Sequence, residues 1–184
     1  GVPVALTYGL TETCSQVTTT PLAAIGAGAS AGPPLFCSRV SLAEDGEILV
    51  KGPTVAPAAG DADGWLRTGD LGALEDRGGL LVTGRKADTI VSGGENVAPT
   101  EVEAVLEAHP AVLEAAVLGR PDERWGEAVT AIVIPREGQT LDDAALREHC
   151  ASVLAPFKVP KSFTISGDPL PRTRSGKLLR RELV

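Results

Sequence analysis

The hydrophobic positions of this chain change their period from one end to the other. Near the start, the runs 47–50 (EILV) and 80–83 (LLVT) each follow a Gly-containing turn, Asp45-Gly46 and Gly78-Gly79. A turn pair ahead of a short apolar run predicts a strand. Further along, 112–118 and 128–134 are longer apolar runs suited to strands, and 89–91 and 163–165 are shorter ones. Between them Val102, Val105 and Leu106 recur at helical spacing. Pro99 suits the first turn of that helix, where its missing N–H is not needed, and Pro110 ends it. Thr140 with Asp143 forms a capping-box pattern, Asp standing in the usual Glu place. It predicts a second helix running to about Leu154 and stopped by Pro156 and Pro160. The tail 172–181 is basic and predicts a short helix, with Lys177 at its start on a mobile segment.

Two regions of different character follow from this pattern. Residues 1–84 are rich in Gly, Pro, Ala and Thr and read as a β-rich piece with irregular loops. Residues 85–184 read as a small α+β domain, and the chain as a whole as α+β. The stretch 23–34 (AAIGAGASAGPP) taken alone reads as a flexible linker.

Composition narrows the classes. Hydrophobic residues make up 43% and aromatics only 3%, so a core is expected from Val, Leu, Ile and Ala. A net charge of −7 argues against a nucleic-acid partner. No apolar run approaches the roughly 20 residues that span a bilayer, and no basic start precedes an apolar stretch, so no membrane partner and a cytoplasmic location are expected. Cys14, Cys37 and Cys150 are scattered without CxxC spacing, which predicts reduced thiols and neither zinc nor disulfides. His109 and His149 fall near helix ends and are expected on the surface or as caps. The chain contains no Met, at position 1 or elsewhere, which leads us to expect a fragment or a processed chain.

Four segments carry candidate chemistry. In Tyr8-Gly9-Leu10-Thr11-Glu12-Thr13 a hydroxyl beside a carboxylate can serve a nucleotide phosphate and its Mg²⁺, a hard ion that takes carboxylate and phosphate oxygens together. A polar turn at a strand end is the alternative. In Trp65-Leu66-Arg67-Thr68-Gly69-Asp70 the carboxylate can accept from both hydroxyls of a ribose, or simply close a turn. The run from Gly84 to Glu103 begins at the junction of the two regions. There Arg85 offers a fixed fork of donors, and Ser92-Gly93-Gly94 lets a ligand pass close to the backbone; a surface loop is the alternative. In the last segment Lys177 follows Ser175-Gly176. A compact charge on a long stem can reach a carboxylate and a phosphate together, or can lie in a solvated tail. It is not a Walker P-loop, because Pro171 stands where the first Gly belongs.

In their order, YGLTE, GEILVKG, LRTGD, GRKADTIVSGGENVAPTEVE and PRTRSGK resemble the adenylate-forming superfamily of acyl-CoA synthetases, luciferases and peptide-synthetase adenylation domains, over nearly the whole chain. The resemblance implies an ATP-dependent acid–CoA ligase with ATP, Mg²⁺ and CoA as cofactors or substrates and a small carboxylic acid as partner. It implies that residues 1–84 end the large domain and 85–184 form the small mobile one. By resemblance Tyr8 packs on adenine, Thr11 contacts the α-phosphate, Glu12 holds Mg²⁺, and Asp70 and Arg85 reach the ribose. Lys177 is the catalytic lysine, Ser92, Gly93 and Gly94 line the CoA tunnel, and Ala87 takes the hinge position, where the family often has Asp or Lys. The segments TETCSQ and SAGPPLF look like the o-succinylbenzoate–CoA ligase subgroup of menaquinone synthesis, although Pro33 stands where that subgroup often carries Lys. Ser30 and Gly32 are the candidate acid contacts. The family's upstream phosphate loop is not in this sequence, so the chain is expected to need an N-terminal half and to be inactive alone. Another acyl- or aryl-CoA synthetase, and a non-catalytic docking module, are the competing expectations.

Overall fold

The computed structural model describes residues 2–26, 28–76, 78–174 and 176–183. It divides into two compact units, Gly1–Ala87 and Asp88–Val184, so the division falls beyond the Gly84–Arg85 junction.

The first unit is built on hairpins. Strands β1 (Thr7–Leu10) and β2 (Ser15–Thr19) pair antiparallel. Strands β3 (Arg39–Leu42), β4 (Glu47–Lys51), β5 (Trp65–Leu74) and β6 (Leu80–Arg85) form an antiparallel sheet in sequence order. Tyr8, Val17, Ala31, Ile48, Val50 and Leu80 make its core. The stretch that reads as a linker is pinned to this core. The Ala31 N–H donates to the Leu80 carbonyl at 2.7 Å, the Leu80 N–H to Gly32 at 3.0 Å, and the Thr18 hydroxyl to Ala31 at 2.8 Å. Gly32 has φ +79°, and a Cβ there would lie 2.0 Å from the Thr19 carbonyl oxygen, so the close backbone approach requires glycine. The small residues of this stretch therefore serve packing as well as freedom.

The second unit sets helices on a mixed sheet. Strands β7 (Ile90–Ser92) and β8 (Glu95–Val97) lead into helix α1 (Pro99–Glu107). Strands β9 (Val112–Asp122) and β10 (Gly126–Pro135) form the long hairpin, followed by helix α2 (Asp143–Ala151) and strand β11 (Ser162–Ile165). β10 lies antiparallel to β9 and β7 and parallel to β11. Val102 and Leu106 of α1, Leu146 and Cys150 of α2, and Val112, Val117, Val129, Val133 and Phe163 of the sheet form one core. Aliphatic and β-branched side chains supply it, as the low aromatic content requires.

Two local expectations need correction. The N-cap of α2 is Asp142, whose carboxylate accepts from the Ala145 N–H at 3.2 Å, and not Thr140. Asp142 stands directly before the helix, within reach of a first-turn donor, whereas Thr140 lies too early. The tail forms only a short 3-10 turn, Arg180–Glu182, and Lys177 precedes it in a loop. That loop is held by a bridge between Arg172 and Leu178, and Leu178 and Leu183 pack on Ala116, Ile134 and Leu170. Apolar contact thus ties down a segment whose basic composition suggests a mobile end.

Cys14 and Cys37 are exposed thiols and Cys150 is a buried one, its pKa raised by burial. His149 Nε2 lies 2.8 Å from the Val105 carbonyl, and His109 accepts the Ala111 N–H just past α1. The two rings meet edge to face with centroids 5.1 Å apart. Among the described residues no helix is long and apolar enough to cross a membrane, and no group of three or more metal-ligating side chains occurs.

Leu106 is fully buried in the second unit. Leu106→Ala is expected to cost about 3 kcal/mol through lost burial and the cavity left behind. Trp65 and Trp125, one in each unit, allow urea unfolding to be followed by fluorescence, and the Trp125 signal should move to lower urea.

Candidate functional site

In the first unit the sheet brings three sequence-predicted residues into direct contact. The β5–β6 register places Asp70 opposite Arg85, and Arg85 Nε lies 3.0 Å from Asp70 Oδ1. The Tyr8 hydroxyl, arriving from β1, donates to Asp70 Oδ2 at 2.9 Å. Asp70 is only 6% exposed, so its charge depends on these partners. Burial pushes the Tyr8 pKa well up, which keeps its hydroxyl a proton donor to the carboxylate. The Tyr8 ring itself belongs to the core of the unit. Each carboxylate oxygen retains a second lone pair, so Asp70 can still accept from a ligand.

A second carboxylate sets the backbone that carries Asp70. Glu47 opens β4 and is 4% exposed. Its oxygens accept from Arg67 Nη2 at 2.5 Å, from the Gly69 N–H at 3.1 Å and from Lys86 Nζ at 3.2 Å. Lys86 also pairs with Asp45 at 2.5 Å. Burial works to raise the Glu47 pKa, but the Gly69 N–H, Arg67 and Lys86 outweigh it and leave it lowered. Gly69 turns the chain with φ +72°, and the Thr68 hydroxyl accepts the Asp70 N–H while donating to Ile48. Glu47 thus holds the LRTGD turn from below. Sequence reasoning missed this role; the signal was a lone Glu among apolar residues directly after Asp45-Gly46.

Thr11 and Glu12 stand exposed on the 3-10 turn Thr11–Thr13 between β1 and β2. Buried Thr13 locks that turn, its hydroxyl accepting the Leu10 N–H at 3.0 Å and lying within 3.0 Å of the Leu10 and Ser15 carbonyls. Ser30 and Gly32 line a cavity of about 350 Å³ with Thr20, Gly28, Pro33 and Glu75.

The remaining candidates lie in the second unit. Ser92, Gly93 and Gly94 form the tight turn between β7 and β8, both glycines at positive φ (63° and 87°), as a two-residue hairpin turn requires. Gly93 N–H donates to the Trp125 carbonyl at 2.8 Å, and a Cβ on Gly93 would meet the Trp125 ring at 3.0 Å. The Trp125 ring also faces the Arg124 and Lys161 cations, 4.7 and 5.0 Å from its centroid. An aromatic and two cations beside the turn escaped the motif reading. Lys177 is exposed; its N–H donates to the Thr173 hydroxyl at 3.0 Å and its carbonyl accepts the Thr173 N–H at 2.8 Å. Ser175, before Gly176 and Lys177, lies outside the described residues.

Comparison with known proteins decides the family. Residues 101–177 match the AMP-binding enzyme C-terminal domain. The 2-succinylbenzoate–CoA ligase of Listeria monocytogenes serotype 4b is 43% identical over 192 aligned positions, which cover 99% of this chain and 40% of the relative. The chain belongs to the adenylate-forming family. The 2-succinylbenzoate–CoA ligase of Geobacillus kaustophilus is 45% identical over 202 positions, covering 100% of this chain and 41% of that one. Among solved structures, the o-succinylbenzoate CoA synthetase of Bacillus subtilis with its acyl-adenylate intermediate superposes with a TM-score of 0.88 at 40% identity, covering 98% of this chain and 41% of that one. The same enzyme with ATP and magnesium gives 0.87 at 40% identity, with the same coverage. The chain therefore spans about 40% of the length of the curated adenylate-forming relatives it matches. Its mixed, sheet-rich fold with two helices corresponds to their C-terminal part.

Glu47→Gln is expected to destabilise the first unit by about 2 kcal/mol at neutral pH, since charge-assisted bonds to Arg67, Lys86 and the Gly69 N–H are weakened. The folded pKa of Glu47 lies below the ordinary value of about 4.3, so its contribution is complete above that pH and is lost as pH falls through the folded value. Urea unfolding of both proteins between neutral and acid pH should show the difference shrinking at the acid end.

Proposed function

We propose that this chain is the adenylate-binding and lysine-bearing part of an AMP-forming acid–CoA ligase, with o-succinylbenzoate as the acid. The observation that carries the reading is the Tyr8–Asp70–Arg85 contact. A buried carboxylate with fixed donors on one side is prepared to accept two ribose hydroxyls on the other. The identity to 2-succinylbenzoate–CoA ligases supports the choice of acid.

A carboxylate is a poor electrophile and needs activation. Its oxygen attacks the α-phosphorus of ATP, the bond to the bridging oxygen breaks and pyrophosphate leaves; the CoA thiol then displaces AMP to give the thioester. In this scheme Tyr8 sits at the adenine side, and its hydroxyl fixes Asp70. Asp70 and Arg85 orient the ribose, and Thr11 reaches the α-phosphate. Glu12, a single exposed carboxylate on a rigid turn, suits Mg²⁺, which takes one or two carboxylates and completes its shell with phosphate oxygens and water. Bound there, the ion would neutralise phosphate charge. Lys177 offsets charge between the acid and the phosphate in the first step only. Rotation about Ala87 then brings Ser92, Gly93 and Gly94 to the site as the wall of the CoA tunnel, with Trp125 behind them. Ser30 and Gly32 touch the acid from their cavity. Activity requires the further length that the relatives possess, and the chain by itself catalyses no pyrophosphate exchange.

Pro33, in the cavity beside Ser30, favours a second reading, in which the same chemistry acts on another acyl or aryl acid. A panel of carboxylic acids with o-succinylbenzoate included separates the two, the preferred acid being the one with the highest kcat/KM. A chain that serves only as a docking module would support no step with any acid.

Two variants test the mechanism in the polypeptide that joins this chain to the N-terminal region of a relative. Asp70→Ala should weaken AMP binding at least about 100-fold by calorimetry, since it removes both acceptors for the ribose. Lys177→Ala should lower pyrophosphate exchange about 100-fold or more while thioester formation from supplied acyl-adenylate continues near the normal rate. Equal loss in both steps would count against the two-step use of one site.

A further inference from the structure

Arg180 sits in the turn just past the lysine loop, with a side chain only 20% exposed. All of its donor nitrogens are engaged. Nη1 and Nη2 grip the two oxygens of Glu103 on α1, the latter at 2.9 Å. Nη1 also donates to the Val117 carbonyl on β9 at 3.2 Å, and Nε lies 3.4 Å from Asp88 Oδ2. Glu103 closes the network by accepting the Val117 N–H at 2.8 Å. Burial disfavours the Arg180 charge, but Glu103 and Asp88 outweigh it, and the guanidinium stays protonated. One side chain thus joins α1, β9 and Asp88, the residue after Ala87.

The other end of the lysine loop is held as well. Arg172 Nη1 donates to the Gly176 carbonyl at 2.6 Å, and its guanidinium pairs with Glu114 of β9. Lys177 itself is exposed. Where the ammonium can reach is therefore set by where the backbone of the loop is fixed. A partly buried ion pair contributes little to net stability, but a planar fork with two carboxylates and a carbonyl imposes one geometry.

We propose that Arg180 is a positioning residue for Lys177: it locks the lysine loop onto Glu103, Val117 and Asp88 and so fixes the point from which the ammonium is presented. The inference rests on the reading of Lys177 as the adenylating lysine. A displacement of about 1 Å in such a group can cost on the order of 100-fold in rate.

The test uses Arg180→Met, which keeps the stem and removes the fork, Arg180→Lys, which keeps the charge alone, and Lys177→Ala as the reference. In the 184-residue chain, amide hydrogen exchange is measured at Thr173, Lys177 and Leu179 and at the core positions Val129 and Val133. In the joined ligase, pyrophosphate exchange and thioester formation from acyl-adenylate are measured separately. Arg180→Met should speed exchange in the loop about tenfold while the core amides keep their rates. It should lower pyrophosphate exchange about 10- to 100-fold and change thioester formation less than about twofold, with Arg180→Lys between it and the parent. Unchanged loop exchange would overturn the proposal, as would a uniform rise across the unit with both steps falling together. If Lys177→Ala is selective for the first step and Arg180→Met is not, only the positioning role fails. If Lys177→Ala is not selective, the reading of Lys177 fails, and loop exchange still decides whether Arg180 fixes the loop.

Discussion

The first unit depends on a carboxylate that must not be left alone in its interior. Glu47, 4% exposed, is stable there only because Arg67, Lys86 and the Gly69 N–H converge on it. Those donors come from the strand beside it and from the turn at the end of the unit. Meeting them fixes the path of β5, and Gly69 delivers Asp70 to Tyr8 and Arg85. The geometry of the candidate site is thus a consequence of satisfying a charge beneath it. Asp70 repeats the same device one residue further on, with a phenol and a guanidinium as its partners.

The second unit solves a different problem. It has a sufficient aliphatic core, formed where α1 and α2 cover the β9–β10 hairpin. Its functional candidates Lys177, Gly93 and Gly94 are exposed on segments outside the core, while Ser92 at the edge of the same turn is buried. Each segment is therefore held by specific contacts: Arg172 and Arg180 hold the lysine loop, and Trp125 backs Gly93. Electrostatics and close packing take over where hydrophobic burial stops. The two residues beside Ala87 are each held within their own unit, Lys86 by Asp45 and Glu47 and Asp88 by Arg180.

Local order along the chain was legible wherever one side-chain property repeated. The helix from Pro99 and the strands of the β9–β10 hairpin follow from apolar spacing and proline positions. Prediction failed where the outcome depended on local backbone geometry or on a partner distant in sequence. Asp142 and not Thr140 caps α2, because reach to the Ala145 N–H is a matter of backbone geometry. The glycine- and alanine-rich stretch before Pro34 lies against Leu80, because the absence of side chains permits close approach as readily as disorder. The tail around Lys177 is tied down by Leu178, Leu183 and Arg180, although its basic composition alone suggests a solvated end.

By itself the sequence determined helix α1, the long β9–β10 hairpin, the α+β class and the choice of candidate residues, because these rest on local periodicity and on motifs whose order is written in the chain. Only the tertiary structure decided that Tyr8, Asp70 and Arg85 touch, that Glu47 holds the turn beneath them, and that Trp125 and Arg180 support the two segments of the second unit. The physical reason is that each of these contacts is long-range: its energy comes from burying a charge or closing a gap against residues tens of positions away, and no local pattern along the chain records which partner will meet that need.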